Sequence, residues 1–263
     1  MRVYLHLSAA QIRAQLQYRA SFALDLVATF LISFLDFLAV LILFHNVPSL
    51  AGWNVHEVAF LYGASAVTFA LAELFVGHSD VLGQHLRTGT FDILLARPRG
   101  TLFQMISSDL PLRRLGRVAQ GAVVFGYALS SAHISWSLGR IAVLLSMLPT
   151  GIVIFASMWI AAMCVMFWTT EGGEFANAFT YGGQTLTQYP INLYSQWLRR
   201  FLAYLVPTAF VSYFPALYVL GKDDPLGLPR ILQFSAPVVA LAGALVAAFV
   251  WRVAVRHYRS AGG

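Results

Sequence analysis

The sequence predicts an all-α integral membrane protein with six transmembrane helices. Three observations carry this. Of 263 residues, 59% are hydrophobic and 11% are charged, against about 25% charged in a soluble domain, and mean hydropathy is +0.70. Several stretches are apolar over the roughly 20 residues that a helix needs to cross a hydrocarbon core of about 30 Å. Arginine gathers in the segments between those stretches, as positive charge does on the cytoplasmic side of a membrane protein. A β-barrel would instead show alternating strands of about 10 residues.

Residues 1–20 place Leu5, Ile12 and Leu16 among arginine and glutamine, the pattern of an amphipathic helix lying along the cytoplasmic interface. A lead-in to the first span is the plainer alternative. The stretch lacks the short apolar core and small-residue cleavage site of a signal peptide and is expected to be retained. Residues 22–44, 57–77, 114–132, 139–168 and 231–251 each read as a span. Cys164 is the lone cysteine and lies within an apolar stretch, so no disulfide forms inside the chain.

Orientation follows from charge. Arg2, Arg13 and Arg19 precede the first span. Arg87, Arg97, Arg99, Arg113, Arg114 and Arg117 flank the long segment 78–113, and Arg252, Arg256 and Arg259 follow the last span. These twelve of the 17 basic residues place both termini and the long segment in the cytoplasm. An even number of crossings is then required, so one more lies at 174–191 or at 201–220. Pro207 and Pro215 break the second candidate, and irregular backbone at membrane depth survives only under protein or water. In the first, Asn177, Tyr181, Gln184 and Gln188 share one helical face. The reading adopted is 174–191 as the fifth span, with 192–220 dipping into the outer leaflet and returning.

The ionisable groups inside spans are candidate functional groups. Asp25 can reach water at the start of the first span, Asp36 is deeper, and Glu73 lies about one turn from the cytoplasmic end of the second. The stripe Asn177, Tyr181, Gln184 and Gln188 either lines a substrate path or hydrogen-bonds to neighbouring helices. Ala240, Ala244 and Ala248 recur every fourth residue, a ridge suited to close packing. The seven histidines are scattered, with no His-Glu-x-x-His or paired-cysteine spacing to hold a metal. Neither a Gly-x-Ser-x-Gly elbow nor a Gly-x-x-x-x-Gly-Lys-[Ser/Thr] phosphate loop is present, so catalysis by this chain finds no support. Basic charge here reads as membrane orientation, and nucleic acid is not expected as a partner.

The stretch "RTGTFDILLARPRG" at 87–100 stands apart. Ser79 or Asp80 can cap a helix carrying Val81, Leu82 and Leu86. Gly89 permits a turn, Phe91, Leu94 and Leu95 follow, and Pro98 ends the run. So many large apolar groups imply contact with the inner leaflet or with a groove on a soluble partner, and physics alone leaves these two open.

Three motifs bear on the choice: Gly-Thr-Phe-Asp-Ile-Leu-Leu-Ala-Arg-Pro at 89–98, "YPINLYSQWLRRFLAYLVPTAFVSYFPALYVLG" at 189–221, and the ending "WRVAVRHYRSAGG". In this order they resemble the permease subunits of ABC-2 type exporters, in the branch with a G-x-x-D-x-x-L-x-x-P cytoplasmic segment. The resemblance covers almost the whole chain. It implies a coupling helix between the second and third spans that docks on a separate P-loop ATPase. Leu82, Leu86, Gly89, Phe91, Asp92, Leu94, Leu95, Arg97 and Pro98 would lie in that coupling region, with Glu171 and Glu174 as a second contact. It also implies re-entrant outer helices at 192–220, a second permease chain, identical or paralogous, and a single permease domain over 1–263. No cofactor is expected on this chain, and ATP with Mg would sit on the ATPase subunits. Asn177, Tyr181, Gln184 and Gln188 are the candidate path residues. Arg199 and Arg200, on the outer side in this reading, would meet lipid phosphates. The competing functions are a secondary carrier or channel using Asp36 and Glu73, and a membrane anchor that moves nothing.

Overall fold

The computed structural model describes residues 17–77, 79–108, 111–169, 172–202 and 206–259. The expected interface helix lies almost wholly outside the described residues. Eleven α-helices are found among the described residues: α1 (Arg19–Asn46), α2 (Val55–Val76), α3 (Ser79–Thr88), α4 (Phe91–Ala96), α5 (Thr101–Ser108), α6 (Leu115–Ser131), α7 (Leu138–Met163), α8 (Gly172–Thr187), α9 (Gln196–Arg200), α10 (Tyr213–Leu220) and α11 (Ala236–His257). No strand is described, and the protein is an all-α membrane protein. Among the described residues four helices are long and apolar enough to cross a membrane: α1, the stretch containing α2, α7 with the 3₁₀ turn Cys164–Phe167, and α11.

The hub is α2. It is apolar on every side, so it presents no solvent face, and residues 58–70 along it are all buried. Its N-terminal end starts on a capping box: the Asn54 side chain accepts from the Glu57 amide at 3.0 Å, and Glu57 accepts from the Asn54 amide at 2.8 Å. Small residues let its neighbours approach closely. A Cβ at Gly63 would lie 2.6 Å from the Phe125 backbone, and one at Gly121 would lie 2.9 Å from the Val67 nitrogen, so α2 and α6 touch through their backbones. Gly116 does the same between α6 and α1, where a Cβ would stand 2.5 Å from the Leu26 carbonyl.

On the other side of α2 lies α7, with α11 packed on α7 and α8 set against α7 and α2. The face of α11 that packs differs from the ridge read in the sequence. Ala240 and Ala247 are buried with Ala236, Trp251 and Ala254, and Gly243 faces Ser157, whereas Ala244 and Ala248 are half-exposed. The reason is helical pitch: a strict four-residue spacing drifts around the cylinder, while alternating steps of three and four stay on one face.

Several helix bounds also differ from those read in the sequence. The helix expected at 174–191 is α8, which stops at Thr187 because Pro190 disfavours helical backbone at the residue before it. The span expected from 231 opens as the 3₁₀ turn Arg230–Phe234, and α11 begins only at Ala236, with Pro237 in its first turn, and runs on to His257. The candidate at 201–220 is not one helix: Pro207–Phe210 is a 3₁₀ turn and α10 starts at Tyr213. Most of 206–219 is buried, and the Ser212 hydroxyl donates to the Thr187 carbonyl at 2.8 Å. Arg199 is engaged within the chain: its Nε donates to the Tyr194 carbonyl at 2.5 Å and its Nη2 to the Asn192 carbonyl at 3.0 Å, tying up an irregular turn. Arg200 is exposed.

Replacing Gly63 by alanine is expected to force α2 and α6 apart and to cost about 1–3 kcal/mol, the usual range for overpacking. Gly126→Ala, where a Cβ meets nothing within 4 Å, serves as the control and should leave stability unchanged or slightly raised. Thermal unfolding of the detergent-purified chain reads both, and an unchanged Tm for Gly63→Ala would contradict the α2–α6 packing.

Candidate functional site

Two regions collect the polar and candidate functional side chains, and both are built on the C-terminal half of α2. In the first, α3, α4 and α5 form a compact unit beyond the end of α2. Gly89, at φ +69°, makes the turn from α3 to α4 that a residue with a Cβ would adopt only under strain. His85 Nδ1 and the Thr90 hydroxyl meet at 2.7 Å across that turn. Gln104 Nε2 donates to the carbonyls of Leu94 and Arg99 at 2.9 and 2.8 Å, which closes α5 back on α4.

The apolar groups of this unit turn mostly inward. Leu82, Phe91 and Leu94 are buried within the chain. The Phe91 ring lies 4.9 Å from that of Tyr258 and 5.4 Å from that of Phe167, and Phe167 in turn contacts Trp251 at 5.7 Å. Trp251 Nε1 donates to the Thr101 hydroxyl at 3.2 Å. Leaflet and partner groove were therefore not the whole choice for these residues, because the ends of α7 and α11 take them up. Leu86 is half-buried against the same core. Asp92, Ile93, Leu95, Arg97 and Pro98 are exposed, as is Glu174 at the start of α8, while Glu171 lies outside the described residues. Tyr258 was visible in the sequence only as a terminal aromatic, with nothing to say what it packs on.

The second region centres on Glu73, 2% exposed. Its carboxylate meets Arg117 Nη1 at 2.8 Å and Arg114 Nε at 3.4 Å, and accepts a hydrogen bond from the Tyr181 hydroxyl at 2.7 Å. Arg114 also donates to the carbonyls of Glu73 and Gly77, so its guanidinium caps the C-terminus of α2. Arg117 stacks 5.8 Å above the Tyr181 ring. One carboxylate thus joins α2, α6 and α8. No sequence spacing announces this, since the partners are 41 to 108 residues away.

Above Glu73 opens a cleft of about 410 Å³ between α1, α2, α6 and α8. Tyr181, Gln184 and Gln188 line it together with Asp36 of α1, Tyr62 of α2 and Gln120 of α6. Three of the four stripe residues are thus brought to one cavity. Asn177, a turn closer to the start of α8, is half-buried and is not among the residues lining it. The cleft offers hydrogen-bonding and aromatic groups, and no group of three or more metal-ligating side chains is found among the described residues.

A family model described as ABC-2 family transporter protein matches residues 30–262. No curated protein and no solved structure matches the chain.

Replacing Glu73 with alanine leaves Arg114 and Arg117 without their carboxylate and the Tyr181 hydroxyl without its acceptor. Because Glu73 itself is fully enclosed, a loss of about 3 kcal/mol is expected, the lower end for breaking a buried pair. Lys222→Ala removes the ion pair with Glu57 at the opposite end of α2 (2.7 Å), which is less enclosed and should cost less. Comparison of the two Tm values is the check, and an equal or larger loss for Lys222→Ala would contradict the central place of Glu73.

Proposed function

The chain belongs to the ABC-2 transporter family, and on that premise we propose that it is the permease of an ATP-driven exporter, paired with a second permease and coupled to separate P-loop ATPase chains. It is a multi-pass membrane protein and a transporter component. ABC-2 permeases associate in general with ABC ATPases, and the ATP and Mg of this system belong to those chains.

The topology proposed is six crossings, α1, α2, α6, α7, α8 and α11, in the inner membrane with both termini cytoplasmic. The arginines around 78–113 and after Trp251 support that side for them. At 16 residues, α8 is about 24 Å long, short for a crossing. Its outer end continues into the 3₁₀ turn Ile191–Leu193 and is covered by buried residues of 206–219, so its backbone need not meet lipid. Residues 192–220, of which 192–202 and 206–220 are described, are the outer re-entrant segment of this reading.

The observation that carries the coupling assignment is the division of one short segment into two faces. Leu82, Phe91 and Leu94 are seated in the chain, while Asp92, Ile93, Leu95 and Arg97 point away from it. A closing ATPase pair would press on the outward face. The inward face would pass that push as a rigid unit through Phe91 to Phe167 and Tyr258, at the ends of α7 and α11. A second route runs from α3 to α8, which it contacts, and on through Tyr181 and Glu73 to the cleft. Such packed contacts move between discrete arrangements and do not bend continuously. The carrier reading loses one of its two ion groups, because Glu73 is already held by Arg114, Arg117 and Tyr181.

The double variant Ile93→Asp, Leu95→Asp puts charge on the outward face alone. It is expected to insert normally, with Tm unchanged, and to lose ATPase co-purification or at least about tenfold of transport, the effect of 1.4 kcal/mol or more at the contact. Leu94→Asp is unsuited to this test, since Leu94 is 7% exposed and the charge would enter the core. Retained co-purification and transport in the double variant would overturn the coupling assignment.

A further inference from the structure

Resting on the permease reading, the cleft also indicates what is carried. We propose that it takes an amphipathic organic cation with a ring-bearing apolar body and a hydrogen-bond-accepting group.

Asp36 is the first ground. It lies 17 residues into α1 and 10 from its end, about 25 Å and 15 Å along the axis, well inside hydrocarbon depth. Among the described residues it has no ion-pair partner. A carboxylate at that depth is costly unless something pairs with it. The cations nearest in the fold are already engaged. Arg117, which lines the same cleft, is paired with Glu73 at 2.8 Å, and Arg114 is engaged by Glu73 and by the C-terminal carbonyls of α2. The charge of Asp36 therefore remains for a ligand.

The second ground is the lining. Tyr62, Tyr181 and Tyr189 present aromatic rings to the same cavity, and ring faces attract organic cations. The third is Gln120, 1% exposed, whose side chain lines the cavity and hydrogen-bonds the Tyr62 hydroxyl. An amide Nε2 carries two N–H donors; the one not turned to Tyr62 has no partner within the chain, and an acceptor on a ligand in the cavity would satisfy it. The volume, about 410 Å³, is in the range that drug-sized molecules occupy. A second copy of this chain does not serve in the ligand's place. The face of α1 around Asp36 carries Ile32, Leu35 and Ala39, so an identical face would bring a second carboxylate and no cation.

The test uses the native complex in lipid nanodiscs with rhodamine 6G, a ring-bearing cation with an ester carbonyl, read by fluorescence polarisation. Saturable binding is expected. Asp36→Asn should weaken it about tenfold or more, and Asp36→Glu should largely restore it. Gln120→Leu should weaken rhodamine 6G binding and leave binding of tetraphenylphosphonium, which has no acceptor, unchanged. Equal affinity in Asp36→Asn overturns the proposal, and so does an equal dependence on Asp36 for neutral Nile red. No saturable rhodamine 6G binding by a complex that still contains its ATPase and hydrolyses ATP overturns the cation site and leaves the permease reading standing. A preparation that never contains an ATPase overturns the permease reading itself.

Discussion

A carboxylate taken out of water must be compensated where it lies, and Glu73 organises the helices around the C-terminal end of α2 for that reason. It sits near the end of α2, the helix with the least contact with surroundings, and water cannot solvate it there. Compensation comes from the guanidinium groups of Arg114, just ahead of α6, and Arg117, on α6, and from the phenol of α8. Three helices that are remote in sequence are thereby held at fixed rotation and height. Hydrophobic burial cannot do this in lipid, because an apolar side chain gains little by leaving one hydrocarbon surface for another. Close packing at glycines and a few polar locks do the specifying.

The opposite end of α2 repeats the principle with other groups. Glu57 closes the capping box and pairs with Lys222, which also lies 4.8 Å above the buried Trp53 ring and donates to the Gly52 carbonyl at 2.8 Å. Asn192 Nδ2 reaches the Ala51 carbonyl at 2.9 Å. The irregular outer segments are fastened to the hub in this way, and their backbone groups find partners inside the protein. Burial falls off steeply away from α2: most of α1 and much of α11 is exposed. Their apolar outer faces suit lipid or a second permease, while the cleft lies on the side where α1 leaves room beside α8.

The α3–α5 unit and the cleft are thus not independent features. The unit is seated on the ends of α7 and α11 through an aromatic cluster and on α8 through α3. In turn, α8 supplies both the Tyr181 contact to Glu73 and the glutamines of the cleft. Aromatic rings and a buried ion pair are stiff connectors, as the transmission proposed between them would require.

Much of this was legible in the sequence, and the limits have physical causes. Composition and apolar length determined an all-α membrane protein, because hydrocarbon admits no unsatisfied backbone and few charges. The motifs at 89–98, 189–221 and the carboxy terminus pointed to the ABC-2 family that the chain belongs to. Periodicity placed Tyr181, Gln184 and Gln188 on one face, since neighbours at three and four residues share a side of any helix. Pro190 and Pro237 set helix ends that an apolar tally alone ran past. Only the tertiary structure decided which apolar residues of 82–95 are core and which are surface, because amphipathicity says that a face is buried and not what buries it. It alone paired Glu73 with Arg114, Arg117 and Tyr181 and placed Asp36 and Gln120 across one cleft. Those contacts join residues tens of positions apart on different helices, and their partners are chosen by packing angle and depth, which no local pattern encodes.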